Sequence, residues 1–181
     1  MTYVLKKTVA LVGMMGSGKT AVGTAVARML GVPFVDSDQE IVNAANMSIA
    51  EIFERDGEPF FRAKESQVLT RLMSEEPVIL STGGGAFMQA ANRELFSKHG
   101  AALWLRADTE LLWNRVKHKN TRPLLRTADP KATLTELCNK RNPIYAKADL
   151  IVDANASYAI EDMAERAIEA LLTRPDLLEK K

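Results

Sequence analysis

The chain has 181 residues, which is long enough for one sizeable hydrophobic core and too short for two full domains. Its composition, 46% hydrophobic and 26% charged, is typical of a soluble globular protein and excludes a largely disordered or membrane-embedded one. The 24 basic and 23 acidic side chains leave a formal net charge of +1, so nothing in the overall charge favours nucleic acid or an acidic membrane as a partner.

Two further absences narrow the class of protein. No apolar run approaches the roughly 18 residues of a membrane-spanning helix, and only Met1–Lys7 precede the first predicted strand, so we expect a cytoplasmic protein without a secretory signal. The single cysteine, Cys138, excludes an intramolecular disulfide. Because it lies at helical spacing from Leu134 and Leu137, we expect it to be a buried core thiol.

A phosphate-binding loop follows the first predicted strand. Residues Gly13–Thr20 fit the pattern G-x-x-x-x-G-K-[ST] without a mismatch. The apolar run Thr8–Val12 before it is typical of a buried parallel strand, and apolar residues recur at helical spacing after it. This strand, loop and helix context predicts a true nucleotide site.

The residue types of the loop suit a nucleoside triphosphate. Glycines leave no Cβ in the path of the phosphates and allow several backbone N–H groups to converge on them. Lys19 can reach the β- and γ-phosphates, and the hydroxyl of Thr20 can bind the accompanying Mg²⁺. The predicted contacts of ATP in the loop are Gly13, Met15, Gly16, Ser17, Gly18, Lys19, Thr20 and Ala21.

Two acidic residues follow the second predicted strand, Phe34–Asp36. Ligands of open α/β sheets bind beyond the carboxyl ends of the strands, so Asp36 is predicted to hold Mg²⁺ opposite Thr20, and Asp38 to face a second substrate. Ser37 or Asp38 could additionally cap a helix that spans Gln39–Ala45.

The next segment contains a basic residue whose role the pattern leaves open. Ser48–Glu51 has the form of a capping box, Gly57 ends that helix, and a second helix carries Arg62 three residues before Glu65. Such an arginine is ordinarily part of a solvated surface pair. The alternative is that Arg62 has a functional role.

The third predicted strand, residues 77–82, runs into Gly83–Gly85. Three glycines at the carboxyl end of a strand permit either a sharp turn or close approach to a ligand, and their position on the edge of the phosphate loop favours the ligand. A helix over Phe87–His99 and a fourth strand over residues 102–105 are predicted next.

The run Arg115–Arg126 is rich in positive charge and interrupted by proline. It has no aromatic residues for base stacking, so we interpret it as a movable segment that closes over the nucleotide rather than as an RNA-binding patch. His118 within it is expected at the surface.

The carboxyl-terminal third completes the alternation of strands and helices. A helix over Thr133–Ala148, kinked or restarted at Pro143, precedes a fifth strand, Asp149–Asp153, and a last amphipathic helix ends near Leu172. From Thr173 onward we expect a frayed tail. The pattern predicts a parallel sheet of about five strands with helices on both faces.

Taken together, the motifs resemble those of shikimate kinases over Thr8–Leu172. In chain order they are the phosphate loop, Asp36-x-Asp38, Phe61-Arg62-x-x-Glu65, Gly83-Gly84-Gly85, and Arg122-Pro123-Leu124-Leu125 followed by Arg141-x-Pro143-x-Tyr145. The phosphate loop alone indicates a large superfamily, whereas the combination is specific.

The resemblance implies ATP-dependent phosphorylation of the 3-hydroxyl of shikimate, a step of chorismate and aromatic amino-acid synthesis. It implies a P-loop, three-layer α/β/α nucleotide-kinase-like fold with strand order 2-3-1-4-5. By position, the shikimate-binding residues are Asp38, Arg62, Gly83, Gly84, Gly85 and Arg141. Catalysis falls to Lys19, Asp38 and Arg122.

The resemblance also divides the chain, expected to be a monomer. The core is about residues 1–36, 66–116 and 131–172, the shikimate-binding subdomain about 37–65, and the lid about 117–130. Arg122 is the lid arginine that meets the transferring phosphate, and Arg115 and Asn155 flank adenine.

Two rival functions remain. A gluconate-type kinase of the same fold would share the phosphate loop but not the two spaced arginines. A nucleotide switch or nucleic-acid-binding module would use the basic run, but Asn139–Asn142 lacks the aspartate of an N-K-x-D guanine-binding pattern, and the overall charge is near neutral.

Overall fold

The computed structural model describes residues 2–118 and 125–181. Within these ranges the strands are β1 (Tyr3–Leu5), β2 (Val9–Val12), β3 (Phe34–Asp36), β4 (Ile79–Ser81), β5 (Ala101–Arg106), β6 (Leu150–Asp153) and β7 (Leu178–Lys180). The helices are α1 (Lys19–Leu30), α2 (Ser37–Ala45), α3 (Ile49–Ser74), α4 (Ala90–His99), α5 (Thr109–Val116), α6 (Pro130–Tyr145) and α7 (Ile160–Leu172).

The predicted parallel sheet is confirmed, together with its strand order. Five strands pair in the order β3-β4-β2-β5-β6, which is 2-3-1-4-5 when these five are counted along the chain. Val9 of the central strand pairs in register with Ile79 on one side and with Ala101 on the other. Because all five strands run parallel, the segments that follow them meet at one edge of the sheet.

The hydrophobic core lies on both faces of this sheet. Val9 and Leu11 of β2 pack in a cluster with residues of α1 and α7, whereas Ala10 and Val12 pack in a second cluster with residues of α3, α4 and α6. This alternation along one strand produces the predicted three-layer α/β/α arrangement. Cys138 belongs to the second cluster and is buried, as predicted.

Most local signals act as expected. Ser48 forms the capping box with Glu51, and Gly57 breaks α3 with a φ of 82°. The helix predicted over Phe87–His99 is instead a short 3₁₀ turn, Ala86–Met88, followed by α4, because Gln89 adopts an extended conformation between them. The helix α6 begins three residues earlier than predicted and runs past Pro143 without restarting.

The predicted frayed tail after Thr173 is wrong. The strand β7 pairs antiparallel with β1, and Leu177 and Leu178 are buried in the core cluster of α1 and α7. Two adjacent leucines carry no helical or alternating pattern, so their burial depends on a partner strand at the other end of the chain. The described residues contain no helix long and apolar enough to cross a membrane.

The buried tail leads to a stability prediction. Leu177→Ala removes a side chain that is fully buried and should lower the free energy of unfolding by about 2–5 kcal/mol, measured by urea denaturation. Glu179→Ala, which alters an exposed residue paired with Lys6, is the control and should cost at most about 1 kcal/mol. Equal stability of Leu177→Ala and the parent chain would contradict the docked tail.

Candidate active site

A cleft of about 880 Å³ opens at the carboxyl edge of the sheet and brings most of the predicted site residues together. Its lining includes the predicted residues Met15, Gly16, Ser17, Gly18, Lys19, Thr20, Ala21, Asp36, Asp38, Arg62, Gly83, Gly84, Gly85, Arg115 and Arg141. Gly13 and Asn155 are not part of this lining. The cleft is large enough for a nucleotide and a small second ligand side by side.

The phosphate loop has the backbone conformation that its glycines predict. Gly16 and Gly18 have φ values of 81° and 97°, and Gly18 is the N-cap residue of α1 without any side-chain cap. The first N–H groups of α1 therefore face the cleft, as an anion site at a helix N-terminus requires. Gly13 lies behind the loop, where a Cβ would come within 3.0 Å of the Leu105 carbonyl oxygen.

Lys19 spans the loop from its position at the start of α1. Its Nζ donates hydrogen bonds to the carbonyl oxygens of Gly13 at 2.6 Å and of Met14 at 3.1 Å. A phosphate oxygen that enters the cleft meets an ammonium group already held over the loop.

The residues proposed for magnesium are compatible with that ion. Asp36 accepts hydrogen bonds through Oδ1 from the backbone N–H groups of Asp38 and Gln39, so Asp36 caps α2, and the expectation that Ser37 or Asp38 would do so is wrong. In the described structure no hydrogen bond involves Oδ2 of Asp36 or the Thr20 hydroxyl, and both residues line the cleft. One carboxylate and one hydroxyl are typical protein ligands of a Mg²⁺ that also binds phosphates.

Asp38 carries a carboxylate whose pKa the cleft perturbs. Burial raises its pKa, and the nearby charge of Asp36 raises it further, while Lys19 and Arg62 partly offset both effects. Its Oδ1 is buried and has no hydrogen-bond partner among the described residues. A buried, unpaired carboxylate oxygen beside a phosphate loop suits an acceptor for a substrate hydroxyl.

Arg62 is held rigidly on α3. Its Nη1 lies 2.8 Å from Oε1 of Glu65, which is 1% exposed, and its guanidinium stacks 5.2 Å from the ring centroid of Phe61. Burial raises the pKa of Glu65, and the hydrogen bond from Arg62 opposes that rise. A buried partner of this kind distinguishes Arg62 from the solvated surface arginine that the pattern alone allowed.

The glycine turn after β4 contacts all three predicted substrate side chains. A Cβ at Gly83 would lie 2.8 Å from Asp38 Oδ1, a Cβ at Gly84 would lie 3.0 Å from Arg141 Nη1, and a Cβ at Gly85 would collide with the guanidinium of Arg62. The three glycines therefore allow the close approach of these side chains, which would have to shift if a Cβ were added. They bring one carboxylate and two cations from α2, α3 and α6 to a single turn.

The nucleotide end of the cleft differs in part from the prediction. Arg115 donates a hydrogen bond from Nη1 to the Gly16 carbonyl oxygen at 2.9 Å, so it lies beside the phosphate loop. Asn155 uses its side-chain oxygen to accept hydrogen bonds from the N–H and hydroxyl of Ser157, which closes its own turn. Tyr158, Ile160 and Met163 line the cleft there instead.

Sequence reasoning missed these residues and also the apolar wall formed by Ile49, Phe53 and Phe61 at the other end. The position of Tyr158 just after the last parallel strand was a usable signal, whereas the wall residues had the ordinary spacing of a core-facing helix. Arg122 and residues 119–124 of the predicted lid lie outside the described residues. His118, at the edge of that segment, is exposed as expected.

The arrangement defines a class of protein. A phosphate loop at the central strand of a 2-3-1-4-5 sheet, facing a second subsite with a carboxylate and two arginines, belongs to a P-loop kinase that phosphorylates a small molecule.

Comparison with known proteins identifies the family. A family model described as shikimate kinase matches residues 15–172. A shikimate kinase of Ruegeria pomeroyi is 62% identical over 175 residues, covering 97% of this chain and 90% of the relative. One of Cereibacter sphaeroides is 61% identical and covers 97% and 87%. The chain belongs to the shikimate kinase family and is a phosphotransferase with ATP as co-substrate.

Solved structures agree with this assignment. The shikimate kinase of Acinetobacter baumannii in complex with shikimate superposes with a TM-score of 0.85 at 38% identity, covering 92% of this chain and 93% of that one. A gluconokinase of Sinorhizobium meliloti has a TM-score of 0.60 and 16% identity, which shows a shared fold alone.

The raised pKa of Asp38 leads to a prediction about stability. A carboxyl group whose pKa is higher in the folded state destabilises the fold once the pH exceeds that pKa, and contributes nothing below its ordinary value. Asp38→Asn should therefore raise the melting temperature at pH 7, with a gain that shrinks toward about pH 4, measured by differential scanning fluorimetry. Asp56→Asn, at an exposed carboxylate, is the control. A melting temperature lowered equally at every pH would contradict the electrostatic interpretation.

Proposed function

We propose that this chain transfers the γ-phosphoryl group of ATP to the 3-hydroxyl of shikimate, giving ADP and shikimate 3-phosphate, as a step of chorismate and aromatic amino-acid synthesis. The observation that carries the proposal is the contact of the Gly83–Gly85 turn with Asp38, Arg62 and Arg141 in the same cleft as the phosphate loop. Two cations suit a carboxylate, and an unpaired carboxylate oxygen suits a hydroxyl.

In this proposal the two arginines bind the carboxylate of shikimate. They come from different helices, α3 and α6, and lie over Gly85 and Gly84 respectively, so they reach one ligand from two directions. Each charge-assisted hydrogen bond of this kind contributes roughly 1.5–3 kcal/mol. The Gly83–Gly85 backbone completes the subsite, because the absence of side chains lets Asp38 and the two arginines approach the turn closely.

Asp38 then orients the hydroxyl that attacks the phosphate. Its raised pKa reflects burial, yet the nearby Lys19 and Arg62 favour the ionised form that can accept the proton. In a loose phosphoryl-transfer transition state the proton leaves late, so orientation by Asp38 matters more than its basicity. Lys19 and the first N–H groups of α1 neutralise charge that develops on the transferred group.

Three further assignments belong to this proposal. When bound, Mg²⁺ would be held by Thr20 and Asp36 and would supply charge neutralisation at the phosphates. Arg122 is proposed to meet the transferring phosphate, and Arg115 to lie beside adenine. We also propose a shikimate-binding subdomain over residues 37–65, a lid over 117–130, a monomeric state and a cytoplasmic location.

The reaction itself is tested by ADP release in a coupled assay. ADP formation should require shikimate, Mg²⁺ and ATP together, since the subsite is built for a carboxylated polyol. Gluconate, which also carries a carboxylate and hydroxyls, is the control substrate and should give little turnover. Turnover with gluconate and none with shikimate would replace this proposal with the gluconate-type alternative.

The carboxylate subsite is tested at Arg62. Arg62→Ala should raise the KM for shikimate by about 10- to 100-fold while the affinity for ATP stays nearly unchanged, because Arg62 lies on α3 away from the phosphate loop. Arg71→Ala is a matched control, since this residue lies on the same helix but forms exposed ion pairs with Glu40 and Glu75. If titration calorimetry instead shows ATP binding lost and shikimate binding kept, the assignment is wrong.

A further inference from the structure

One residue of the R-x-P-x-Y motif has no role in the mechanism so far. Tyr145 is the last residue of α6, lies four residues after Arg141, and is fully buried. A tyrosine in a core position brings a hydroxyl that must be hydrogen-bonded, and a phenylalanine would fill the same space without that requirement. The partners of this hydroxyl therefore indicate why a tyrosine is present.

The hydroxyl connects two parts of the substrate subsite. It donates a hydrogen bond to the carbonyl oxygen of Gly84 at 2.7 Å, and the guanidinium of Arg141 lies close enough to lower the pKa of the hydroxyl. The same guanidinium lies over Gly84, since a Cβ there would come within 3.0 Å of its Nη1. One phenol oxygen thus donates to the glycine turn and lies beside the positive charge of the arginine.

The ring of Tyr145 is fixed by packing, so the hydroxyl has a defined position. Its centroid lies 5.7 Å from that of Trp104 on β5 and 6.3 Å from that of Phe87 in the 3₁₀ turn after the glycines. Both neighbours belong to the same core cluster. The ring of Tyr145 therefore connects the rigid sheet to the Gly83–Gly85 turn and to Arg141, the arginine proposed to bind the substrate.

The hydroxyl also keeps its proton at neutral pH. Burial raises the pKa of Tyr145 to about 12, and the positive charge of Arg141 opposes that rise. The hydrogen bond to the Gly84 carbonyl oxygen is consequently retained across the range in which kinase assays are made.

We propose that Tyr145 is a positioning residue that holds the guanidinium of Arg141 and the Gly83–Gly85 turn in one geometry, and so sets the affinity for the substrate carboxylate. The inference rests on the proposed assignment of Arg141 to shikimate. Without the hydroxyl, the Gly84 carbonyl loses its donor and Arg141, which lies against Gly84, loses a polar neighbour, so both sides of the subsite become less ordered.

Tyr145→Phe is the direct test because it removes the hydroxyl and keeps the ring. The KM for shikimate should rise about three- to tenfold, as the loss of one such hydrogen bond predicts, with a smaller change in kcat and no more than about a twofold change in the KM for ATP. Cys138→Ala, in the same helix and also buried, is the control for general destabilisation and should leave both KM values unchanged.

A double-mutant cycle separates positioning from a structural role. In an Arg141→Ala background, Tyr145→Phe should change the KM for shikimate by less than about twofold, because the group that it positions is gone. The proposal would be overturned if Tyr145→Phe still raised the KM for shikimate about three- to tenfold in that background, or if it raised the KM values of ATP and shikimate equally. Absence of shikimate-dependent ADP release by the parent chain would instead show that the proposed function fails.

Gly84→Ala provides a second route if Tyr145→Phe folds poorly. The added methyl group would lie 3.0 Å from Arg141 Nη1 and displace it, so the KM for shikimate should again rise selectively. An unchanged KM for shikimate in Gly84→Ala would show that the position of Arg141 does not control affinity and would overturn the proposal.

Discussion

The close approach of three charged side chains to the Gly83–Gly85 turn is the constraint on which the site depends. Asp38, Arg62 and Arg141 come from three different helices, and each lies within 3.0 Å of where a Cβ on the turn would be. The sheet makes this possible, because β4 ends beside the central strand and delivers the turn next to the phosphate loop. A side chain on the turn would press against at least one of these three charged groups.

The cleft places positively and negatively charged side chains close together, where water would ordinarily screen their interactions. Asp36 lies close enough to Asp38 to disfavour the ionisation of Asp38, and the charges of Lys19 and Arg62 oppose that effect. Such a cluster costs stability in the free protein, since burial penalises each charge. This cost in stability is compensated when ligands of complementary charge bind, and for that reason preorganised charge is useful for phosphoryl transfer.

The sequence was sufficient for the features that depend on local patterns. The phosphate loop, the alternation of strands and helices, and the glycine triplet each carry their structural meaning in adjacent residues. Local patterns did not predict that Asp36 caps α2 or that Leu177 docks against the amino-terminal strand. The cap depends on which of several equivalent residues accepts the hydrogen bonds of the helix N-terminus. The docking depends on which distant strand pairs with the tail.

The site residues likewise divide into those that a local motif predicts and those that tertiary contacts determine. Motif resemblance placed Arg62, but the buried Glu65 that holds it was visible only as a spacing of three. Tyr158 lines the cleft, whereas Asn155 closes its own turn and is not part of the lining. Side chains in an irregular turn are directed by tertiary contacts, for which a sequence pattern gives no rule.

The measurement that tests the central claim most directly is calorimetric binding of shikimate and of its neutral carboxamide to the same protein. If Arg62 and Arg141 converge on the ligand carboxylate, shikimate should bind at least about tenfold more tightly than the carboxamide, as the loss of charge-assisted hydrogen bonds predicts. That preference should disappear in the Arg62→Ala, Arg141→Ala double variant. Equal binding of the two ligands by the unaltered chain would show that the convergence of charges at the glycine turn does not serve to bind a carboxylate.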